Sequence, residues 1–364
     1  MIRFKMTPQP TILLNKRQEQ ILKLVDGGKN TISSLLREIE IIFGPVAKVT
    51  LNRDLQKLIQ MDFLEKVGKG RSTFYQPSPR FNLLKPINPD QYFAREADQR
   101  TTHTRFNFEI FPLLHDVFNS TEQRFLQELN QEYRKNLSNL PAGLLKQELE
   151  RLTVELSWKS AQIEGNTYSL LETETLLREK KEATGHQKAE ATMLLNHKEA
   201  LDYILAQAKT FQTLSVRKLE EIHLLLTKGL QIKNGLRQNL VGITGTRYKP
   251  LDNQFQIRET LEKTCQLVNT EQDPFNKTLG AMILIAYIQP FEDGNKRTSR
   301  MIGNAILIAH HCCPLSYRSV NETEYKKAVI LFYEQNNLTY FKQLFLEQFE
   351  FAVKNYFQLK YPSS

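Results

Sequence analysis

Apolar side chains in the first 80 residues recur at helical spacing in three successive segments, after which the pattern changes to two short runs typical of strands. The first segment ends at Gly27-Gly28, and Thr31 or Ser33 would cap the second. The predicted strands, Leu64–Val67 and residues 72–75, flank a glycine-containing turn. The pattern therefore predicts three helices and a β-hairpin within residues 1–80. The apolar helix positions are Ile21, Leu22, Leu24, Val25, Leu35, Leu36, Ile39, Ile42, Leu51, Leu55, Leu58 and Ile59.

A proline-rich stretch follows this segment. Residues 77–89 carry four prolines and no clear period, which predicts a linker. We expect residues 81–147 to contain this linker and a helical scaffold, and residues 148–358 to form a separate core.

The pattern beyond residue 148 is helical almost throughout. Helices are predicted over residues 170–177, 186–208 and 216–230, and an earlier buried helix would stop near Gly165. An apolar run over residues 281–288 ends at Gln289-Pro290, a step that disfavours the α conformation at Gln289. A second apolar helix follows Gly294. Residues 240–244 and 246–249 are predicted to form two short strands about Gly245, so the fold class is mainly α with hairpins.

The composition is that of a soluble globular protein, with 364 residues, 40% hydrophobic and 24% charged, and is sufficient for two domains. The opening residues, MIRFKMTPQP, lack the apolar core of a signal peptide, and no apolar run approaches a membrane span. We therefore expect a cytoplasmic protein without membrane contact. The three cysteines offer no disulfide framework, and the run His310-His311-Cys312-Cys313 is more typical of a buried helix end than of a metal site.

Positive charge is concentrated at the N-terminal end of the chain. Residues 1–80 contain 14 Lys and Arg against 7 Asp and Glu, whereas the whole chain has a net charge of +9. Nearly all of the excess therefore lies in the predicted helix and hairpin segment. This distribution indicates contact with a polyanion.

The helix that begins after Gly294 opens with groups suited to phosphate. Its first backbone N–H groups, at residues 294–296, have no intrahelical partner, and the helix dipole adds partial positive charge there. Arg297 and Arg300 lie three positions apart on one face, and Asp293 can hold a divalent cation through oxygen. Together these groups suit a nucleotide di- or triphosphate with Mg²⁺. The alternative is an ordinary helix start with a capping Asp and surface arginines.

Residues 289–300 read Gln-Pro-Phe-Glu-Asp-Gly-Asn-Lys-Arg-Thr-Ser-Arg. The run resembles the signature of Fic proteins, His-Pro-Phe-x-(Asp/Glu)-Gly-Asn-(Gly/Lys)-Arg-x-x-Arg, and matches every fixed position except the first. The resemblance implies transfer of AMP from ATP to a Ser, Thr or Tyr hydroxyl of a target protein, with Mg²⁺ at Asp293. Its implied ATP-binding residues are Gly294, Asn295, Lys296, Arg297 and Arg300.

Two positions depart from the commonest form of this signature. Gln289 replaces the histidine that removes the proton from the target hydroxyl, and glutamine has no titratable nitrogen to take its place. Lys296 replaces the commoner glycine, and the related Doc toxins, which also carry Asn-Lys-Arg, phosphorylate their targets. AMP transfer and phosphate transfer therefore both stay open. We interpret His223 as a packed helix residue and not as a substitute base.

Two further segments resemble parts of Fic proteins. Residues 160–165, Ser-Ala-Gln-Ile-Glu-Gly, are similar to the inhibitory motif (Ser/Thr)-x-x-x-Glu-(Gly/Asn), in which Ser160, Glu164 and Gly165 hold the fixed positions. The resemblance implies that Glu164 pairs with Arg300 and hinders placement of the γ-phosphate. The predicted hairpin occupies the position of the Fic flap, which aligns a target peptide by strand pairing. Its flap residues would be Ile243, Thr244, Gly245 and Thr246. The resemblance covers about residues 150–350.

The order of elements in residues 1–80 resembles bacterial winged helix-turn-helix regulators. The resemblance implies that the third helix enters the major groove of DNA. The implied contacts are Lys48, Thr50, Asn52, Arg53 and Lys57 on the helix, with Lys69 and Arg71 on the wing. Such domains also bind proteins or dimerise, so a protein-binding role and a homodimer stay open.

Two functions follow from these resemblances. The first is a slow or conditional protein adenylyltransferase restrained by Glu164. The second is a pseudoenzyme, in which a DNA-binding regulator uses its Fic core to sense ATP or to recruit a partner. The fold expected for both is mainly α: a Fic helical core with a β-hairpin flap, preceded by a small winged helix-turn-helix domain.

Overall fold

The computed structural model describes residues 14–358 and forms two compact units, one ending at Pro86 and the other beginning at Ile87. This division falls within the predicted linker and not at residue 80. Residues 87–147, which we expected to form a separate scaffold, belong to the same unit as the core.

The described part of the first unit begins with three helices and a two-stranded antiparallel sheet. The helices are α1 (Lys16–Asp26), α2 (Ile32–Phe43) and α3 (Lys48–Gln60), and the strands are β1 (Leu64–Val67) and β2 (Phe74–Pro77). The predicted apolar faces meet in the core of this unit, where Ile21, Val25, Leu35, Ile39, Leu51, Leu55 and Leu58 are buried. The elements follow the predicted order, and the winged helix-turn-helix assignment itself stays a prediction.

Side-chain caps mark where α1 and α2 begin. The Asn15 side chain accepts from Gln18 N at 2.9 Å, and the Thr31 hydroxyl accepts from Ser34 N at 3.2 Å. Each cap satisfies a backbone donor that has no intrahelical partner. Thr31, and not Ser33, is therefore the cap of α2.

The second strand begins two residues later than predicted. Residues 70–72 form a 3₁₀ turn, in which the Ser72 hydroxyl donates to Lys69 O at 2.9 Å, so the turn takes residues that the pattern assigned to the strand. Gly68 has φ +83°, and a Cβ there would lie 2.4 Å from Ser72 O. The turn therefore requires glycine at this position.

The predicted linker is partly helical. Helix α4 (Pro79–Leu84) has its proline at the first turn, and the Ser78 side chain accepts from Phe81 N at 3.0 Å. Leu83 is buried, and Ser78 N donates to Phe63 O at 3.0 Å. The linker prediction did not anticipate this helix, because a capped helix of six residues is too short to show an apolar period.

The second unit is built of eleven helices among its described residues. They are α5 (Pro89–Phe93), α6 (Ser120–Asn139), α7 (Ala142–Ile163), α8 (Leu170–Glu179), α9 (Lys188–Ala206), α10 (Val216–Thr227), α11 (Gln254–Thr270), α12 (Pro274–Ile288), α13 (Asn295–Ala309), α14 (Glu322–Gln335) and α15 (Thr339–Asn355). The mainly α fold is confirmed.

Helices α12 and α13 form the centre of this unit. Every residue of α12 from Phe275 to Ile288 is buried, and α13 is buried on nearly all sides. Helices of this kind belong to the middle of a larger bundle, because no face is left for water. The loop between α12 and α13 is therefore held by rigid elements at both ends.

The two strands predicted about Gly245 are absent. Residues 240–249 form a turn at 244–245, and within the described part of the chain β1 and β2 make the only sheet. Backbone groups of this segment bond elsewhere: Gly245 O accepts from Arg100 Nη2 at 2.5 Å, and Lys249 N donates to Thr104 O at 3.0 Å. Because their partners come from residues 100–104, the two arms do not form a ladder. The β-hairpin flap is thus wrong as a strand prediction.

None of the helices between residues 14 and 358 combines the length and apolar character needed to cross a lipid bilayer.

Candidate functional site

The loop between α12 and α13 is shaped by two residues in left-handed backbone conformations. Gln289 ends α12 with φ +51°, and Gly294 precedes α13 with φ +78°. Asn295 fastens the loop to itself, because its side chain accepts from Phe291 N at 2.8 Å and donates to Phe291 O at 2.9 Å. A Cβ at Gly294 would lie 3.3 Å from Thr227 Cγ2, so the loop leaves little room for a side chain there.

A pocket of about 490 Å³ opens in front of this loop. It is lined by the end of α7, by residues 241–244, by the loop and first turn of α13, and by α14. The lining residues include Ile163, Glu164, Ile243, Thr244, Gln289, Glu292, Asp293, Gly294, Asn295, Lys296, Lys326 and Tyr333. The structure therefore brings the predicted loop residues together with Glu164 and with two of the four predicted flap residues, Ile243 and Thr244.

The amides at the start of α13 are not equally available. Gly294 N donates to Asp293 Oδ1 at 2.6 Å, so this predicted phosphate donor already has an acceptor. Asn295 and Lys296 open the helix, where no preceding turn supplies a carbonyl. These two amides and the helix dipole provide the anion-binding character of the pocket.

Asp293 lies at the exposed edge of the loop, with 69% of its side chain accessible. Its second oxygen, Oδ2, lies 3.2 Å from Arg297 Nη2. Among residues 14–358, no cluster of three His, Cys, Asp or Glu side chains is arranged to hold a metal. One accessible carboxylate is too few ligands to hold Mg²⁺ alone. It fits the way in which Mg²⁺ is usually bound with nucleotides, where one or two carboxylates and the substrate phosphates share the ion.

Arg297 and Arg300 lie behind the pocket lining. Both side chains are buried, and burial lowers the pKa of Arg297, although a guanidinium remains charged. Arg300 is 1% exposed and donates to Ser160 Oγ at 3.0 Å, to Ser160 O at 2.9 Å and to Glu164 Oε1 at 2.9 Å. In this arrangement Arg300 contacts α7 and not the pocket, so its predicted role as an ATP ligand would require Glu164 to leave.

Glu164 ends α7 and carries two ion pairs. Its Oε1 meets Arg300 Nη2, and its Oε2 lies 3.1 Å from Lys296 Nζ. Burial by itself would raise the pKa of Glu164, but the charges of Arg300 and Lys296 outweigh it and lower the pKa to about 2. Gly165, with φ +98°, then turns the chain away from the helix. The inhibitory residue of the sequence motif is therefore fully charged at neutral pH.

A buried histidine supports this arrangement from α9. His197 Nδ1 donates to Met193 O at 2.8 Å, which leaves Nε2 to accept the Ser160 hydroxyl at 3.0 Å; the tautomer follows from the carbonyl partner. Burial lowers the pKa of His197 to about 3, so the ring is neutral. The role of His197 could not be predicted from sequence, because a single histidine on an apolar helix carries no signal of its partner.

His223 packs against the loop, in keeping with our interpretation of it as a packed helix residue. Its ring stacks on Phe291 with centroids 3.8 Å apart, and Nε2 donates to Asp293 O at 3.0 Å. Burial lowers the pKa of His223 to about 4. The ring is therefore neutral and holds the backbone of the loop.

Gln289 uses its amide within the protein. Nε2 donates to Ala286 O at 2.7 Å and to Tyr333 OH at 3.2 Å, and Oε1 accepts from Asn295 Nδ2 at 3.1 Å. The side chain is buried. It thus fixes the end of α12 to α14 and α13, and it supplies no group that takes a proton.

The turn that follows Glu164 is held from α7 as well. Trp158, the single tryptophan of the chain, donates from Nε1 to Tyr168 O at 3.0 Å. Asn166 Nδ2 donates to Glu190 O at 3.0 Å, and Thr167 N donates to Glu190 Oε1 at 2.7 Å. The position of Glu164 is therefore controlled on both sides.

The other predicted site residues have less contact with the pocket or belong to the first unit. Gly245 and Thr246 lie beyond the pocket lining, and the Thr246 hydroxyl accepts from Tyr248 N at 3.1 Å. On α3, Lys48, Arg53 and Lys57 are exposed, and Thr50 and Asn52 are half-buried; Lys69, in the turn between β1 and β2, is exposed. The side chain of Arg71 lies outside the described part of the structure.

Comparisons with a family model, with curated relatives and with solved structures all find Fic proteins. The Fic/DOC family matches residues 213–307. The Protein adenylyltransferase Fic of Drosophila melanogaster is 26% identical over 201 residues, covering 53% of this chain and 40% of its own length. That of Culex quinquefasciatus is 28% identical over 233 residues, covering 61% and 43%. The chain thus spans less than half the length of these relatives.

Solved structures show the same fold. Fic-1 from C. elegans superposes with a TM-score of 0.58 at 18% identity, covering 65% of this chain and 72% of that one. A Fic domain containing signaling protein from Bacteroides thetaiotaomicron gives 0.54 at 19% identity, covering 63% and 94%. The family match covers residues 241–244, the loop and the start of α13, but not the end of α7 or α14, which complete the pocket lining. Residues 213–307 of this chain therefore carry a Fic/DOC family domain.

Proposed function

We propose that the chain transfers AMP from ATP to a hydroxyl of a protein target, and that Glu164 restrains this transfer. The observation that carries the proposal is the pocket itself, which joins the N-terminus of α13 and Lys296 to residues 241–244 and Glu164. The N-terminus of a helix can bind a polyphosphate, and residues 241–244 beside it could pair with a target peptide. The relatives named Protein adenylyltransferase Fic support the same reaction class.

Each part of the pocket would have one task. The amides of Asn295 and Lys296 would bind phosphate oxygens, and Arg297 would stabilise charge that develops during transfer. Asp293 would hold Mg²⁺ together with the phosphates, and the ion would supply charge neutralisation at the phosphoryl oxygens. Residues 241–244 would position the target hydroxyl.

In the reaction, the hydroxyl oxygen of the target would bond to the α-phosphorus, and the bond from that phosphorus to the bridging oxygen would break. Pyrophosphate would leave, and the hydroxyl proton would pass to solvent, because the Gln289 amide has no basic nitrogen. The missing base predicts slow transfer. Loss of general base catalysis commonly removes roughly 10² to 10⁴ of rate.

Glu164 would restrain the reaction through Arg300. With the carboxylate in place, Arg300 is turned towards α7 and is not available to a γ-phosphate. A charge-assisted hydrogen bond of this kind is strong where water is excluded. We therefore expect the resting form to bind ATP poorly or in an unproductive position.

The test is the incorporation of label by the Glu164→Gly variant from Mg-ATP labelled at the α- or the γ-phosphate. We expect slow incorporation of the α-label only, above the level of the unaltered chain. In Glu164→Gly with Arg297→Ala, we expect ATP affinity, measured by calorimetry, to fall by about 10- to 100-fold, because a charge-assisted contact is lost. Arg258→Ala, at a half-exposed ion pair on α11, serves as the matched control.

Three outcomes of this test count against parts of the proposal. Incorporation of the γ-label instead would assign phosphate transfer. Tight ATP binding without incorporation of either label would favour the pseudoenzyme, in which the core senses nucleotide. Unchanged ATP affinity in the Arg297→Ala background would remove Arg297 from the phosphate site.

We also propose that the first unit binds DNA. The specific observation is that α3 exposes Lys48, Arg53 and Lys57 together on a unit that carries most of the net positive charge of the chain. Lysine and arginine contacts to phosphates release counterions, so such binding weakens steeply with salt.

The proposal is tested with the full chain and a fluorescent duplex, whose anisotropy is followed at several salt concentrations. The double variant Arg53→Ala, Lys57→Ala is expected to weaken binding and to reduce the slope of log K against log salt by about 2. Lys23→Ala, an exposed lysine on α1, should leave the slope nearly unchanged. An equal effect of both changes, or no binding by the unaltered chain at low salt, would contradict a DNA contact through α3.

A further inference from the structure

The two oxygens of Glu164 are held by two cations of different kinds. Arg300 is 1% exposed and is itself fixed by two hydrogen bonds to Ser160. Lys296 lies on the first turn of α13, is 27% exposed, and lines the pocket. Among the described residues, these are the ion pairs that Glu164 makes. Arg300 is thus rigid and enclosed, whereas Lys296 is flexible and accessible to a ligand in the pocket.

The position of Glu164 at a helix C-terminus means that a second cation helps to hold its carboxylate in place. The carboxylate lies at the C-terminus of α7, where the helix dipole presents partial negative charge. A carboxylate at this end of a helix is repelled by the unpaired carbonyls, so it stays only while cations hold it. The terminal turn is completed by three backbone bonds, from Glu164 N to Ala161 O at 3.0 Å, Gly165 N to Gln162 O at 2.9 Å, and Asn166 N to Ala161 O at 3.1 Å.

We propose that Lys296 is a second anchor of the inhibitory carboxylate and that a polyphosphate entering the pocket releases this anchor by competing for the same ammonium group. The competition, but not the anchor, rests on the proposed nucleotide function. Phosphate oxygens at the start of α13 would lie beside the amide of Lys296 and within reach of its side chain, since both belong to one residue. Lys296 thereby becomes a regulatory residue that links occupancy of the pocket to the hold on Glu164.

Arg300 is not suited to that role. Its three bonds to Ser160 and Glu164 are shielded from solvent, and Ser160 is held in turn by His197. A ligand would have to displace α7 to reach it. Lys296 can exchange one anion for another by rotating its side chain, which costs little because the stem is flexible.

The anchor is tested in the ligand-free protein by hydrogen exchange of the amides of residues 164–166. Lys296→Met keeps the length of the side chain and removes the charge, and we expect exchange to become about 5-fold faster, as for loss of a partly buried ion pair. Lys326→Met is the matched control, because Lys326 lines the same pocket and α14 holds it away from Glu164 by more than an ion-pair distance. In a Glu164→Gln background, Lys296→Met should have no further effect.

The competition is tested by adding inorganic triphosphate with Mg²⁺. In the unaltered chain, exchange at residues 164–166 should increase about 5-fold, towards the rate of Lys296→Met, while the variant should not respond. Equal exchange in Lys296→Met and in the unaltered ligand-free chain would overturn the anchor. A faster Lys296→Met variant with no response of the unaltered chain to triphosphate would keep the anchor and overturn the competition. Failure of the nucleotide proposal is recognised separately, by absence of Mg-ATP binding in Glu164→Gly.

Discussion

Replacing Gln289 with histidine in the Glu164→Gly background is expected to raise the rate of AMP transfer by about 10²- to 10⁴-fold. The imidazole would add a titratable nitrogen at the position where the Gln289 amide now makes bonds only within the protein. The other groups that the reaction is proposed to need are already present in and around the pocket, so one basic group is the limiting part. The measurement is the initial rate of α-label incorporation at saturating Mg-ATP.

Gln289→Asn is the matched control for this change. Asparagine shortens the side chain and breaks the same contacts with Tyr333 and Asn295, but it adds no base. It should therefore leave transfer as slow as in Glu164→Gly alone. An equal increase in both variants would mean that the amide network, and not the absence of a base, limits the rate. No increase in either would support the pseudoenzyme.

Replacing Arg300 with methionine is expected to lower the free energy of unfolding by about 3 kcal/mol. Methionine keeps much of the volume of the side chain, so the loss comes mainly from polar groups left without partners. Ser160 O would lose its donor in a buried site, and Glu164 would keep only Lys296. The expected cost lies at the low end for a broken buried pair because Glu164 is 18% exposed. Urea denaturation of the full chain measures it.

Arg318→Met provides the comparison. Arg318 also pairs with a glutamate, Glu155, at 2.8 Å, but 42% of its side chain is exposed, and Glu155 keeps Tyr356 and Arg151 as partners. Its loss should cost less than about 1 kcal/mol. A similar loss in the two variants would show that the contacts of Arg300 with α7 contribute no more than a surface ion pair.

Prediction from sequence succeeded where the needed information is local. Strand β1 and the approximate extent of α9 and α10 follow from apolar spacing, because each element packs its own apolar face. The loop between α12 and α13 carries its chemistry in twelve consecutive residues. Its left-handed Gly294 and the start of α13 at Asn295 agree with that pattern.

The errors concern partners that are distant in the chain. The two short runs about Gly245 predict strands, but they do not show whether each strand has a partner to pair with. In the structure the backbone partners of this segment are Arg100 and Thr104. His197 meets Ser160 across 37 residues, and no local pattern links them. The pairing of Glu164 with Arg300 followed from resemblance to a family motif and not from spacing, whereas the second pairing, with Lys296, was not expected from either.

The bond between Trp158 and Tyr168 has a practical consequence. Because the chain has a single tryptophan, all emission excited beyond tyrosine absorption originates six residues before Glu164, across the turn that must rearrange when this carboxylate leaves. Tryptophan emission would therefore report on the proposed release of Glu164, which could be timed in a stopped-flow instrument without attaching any dye.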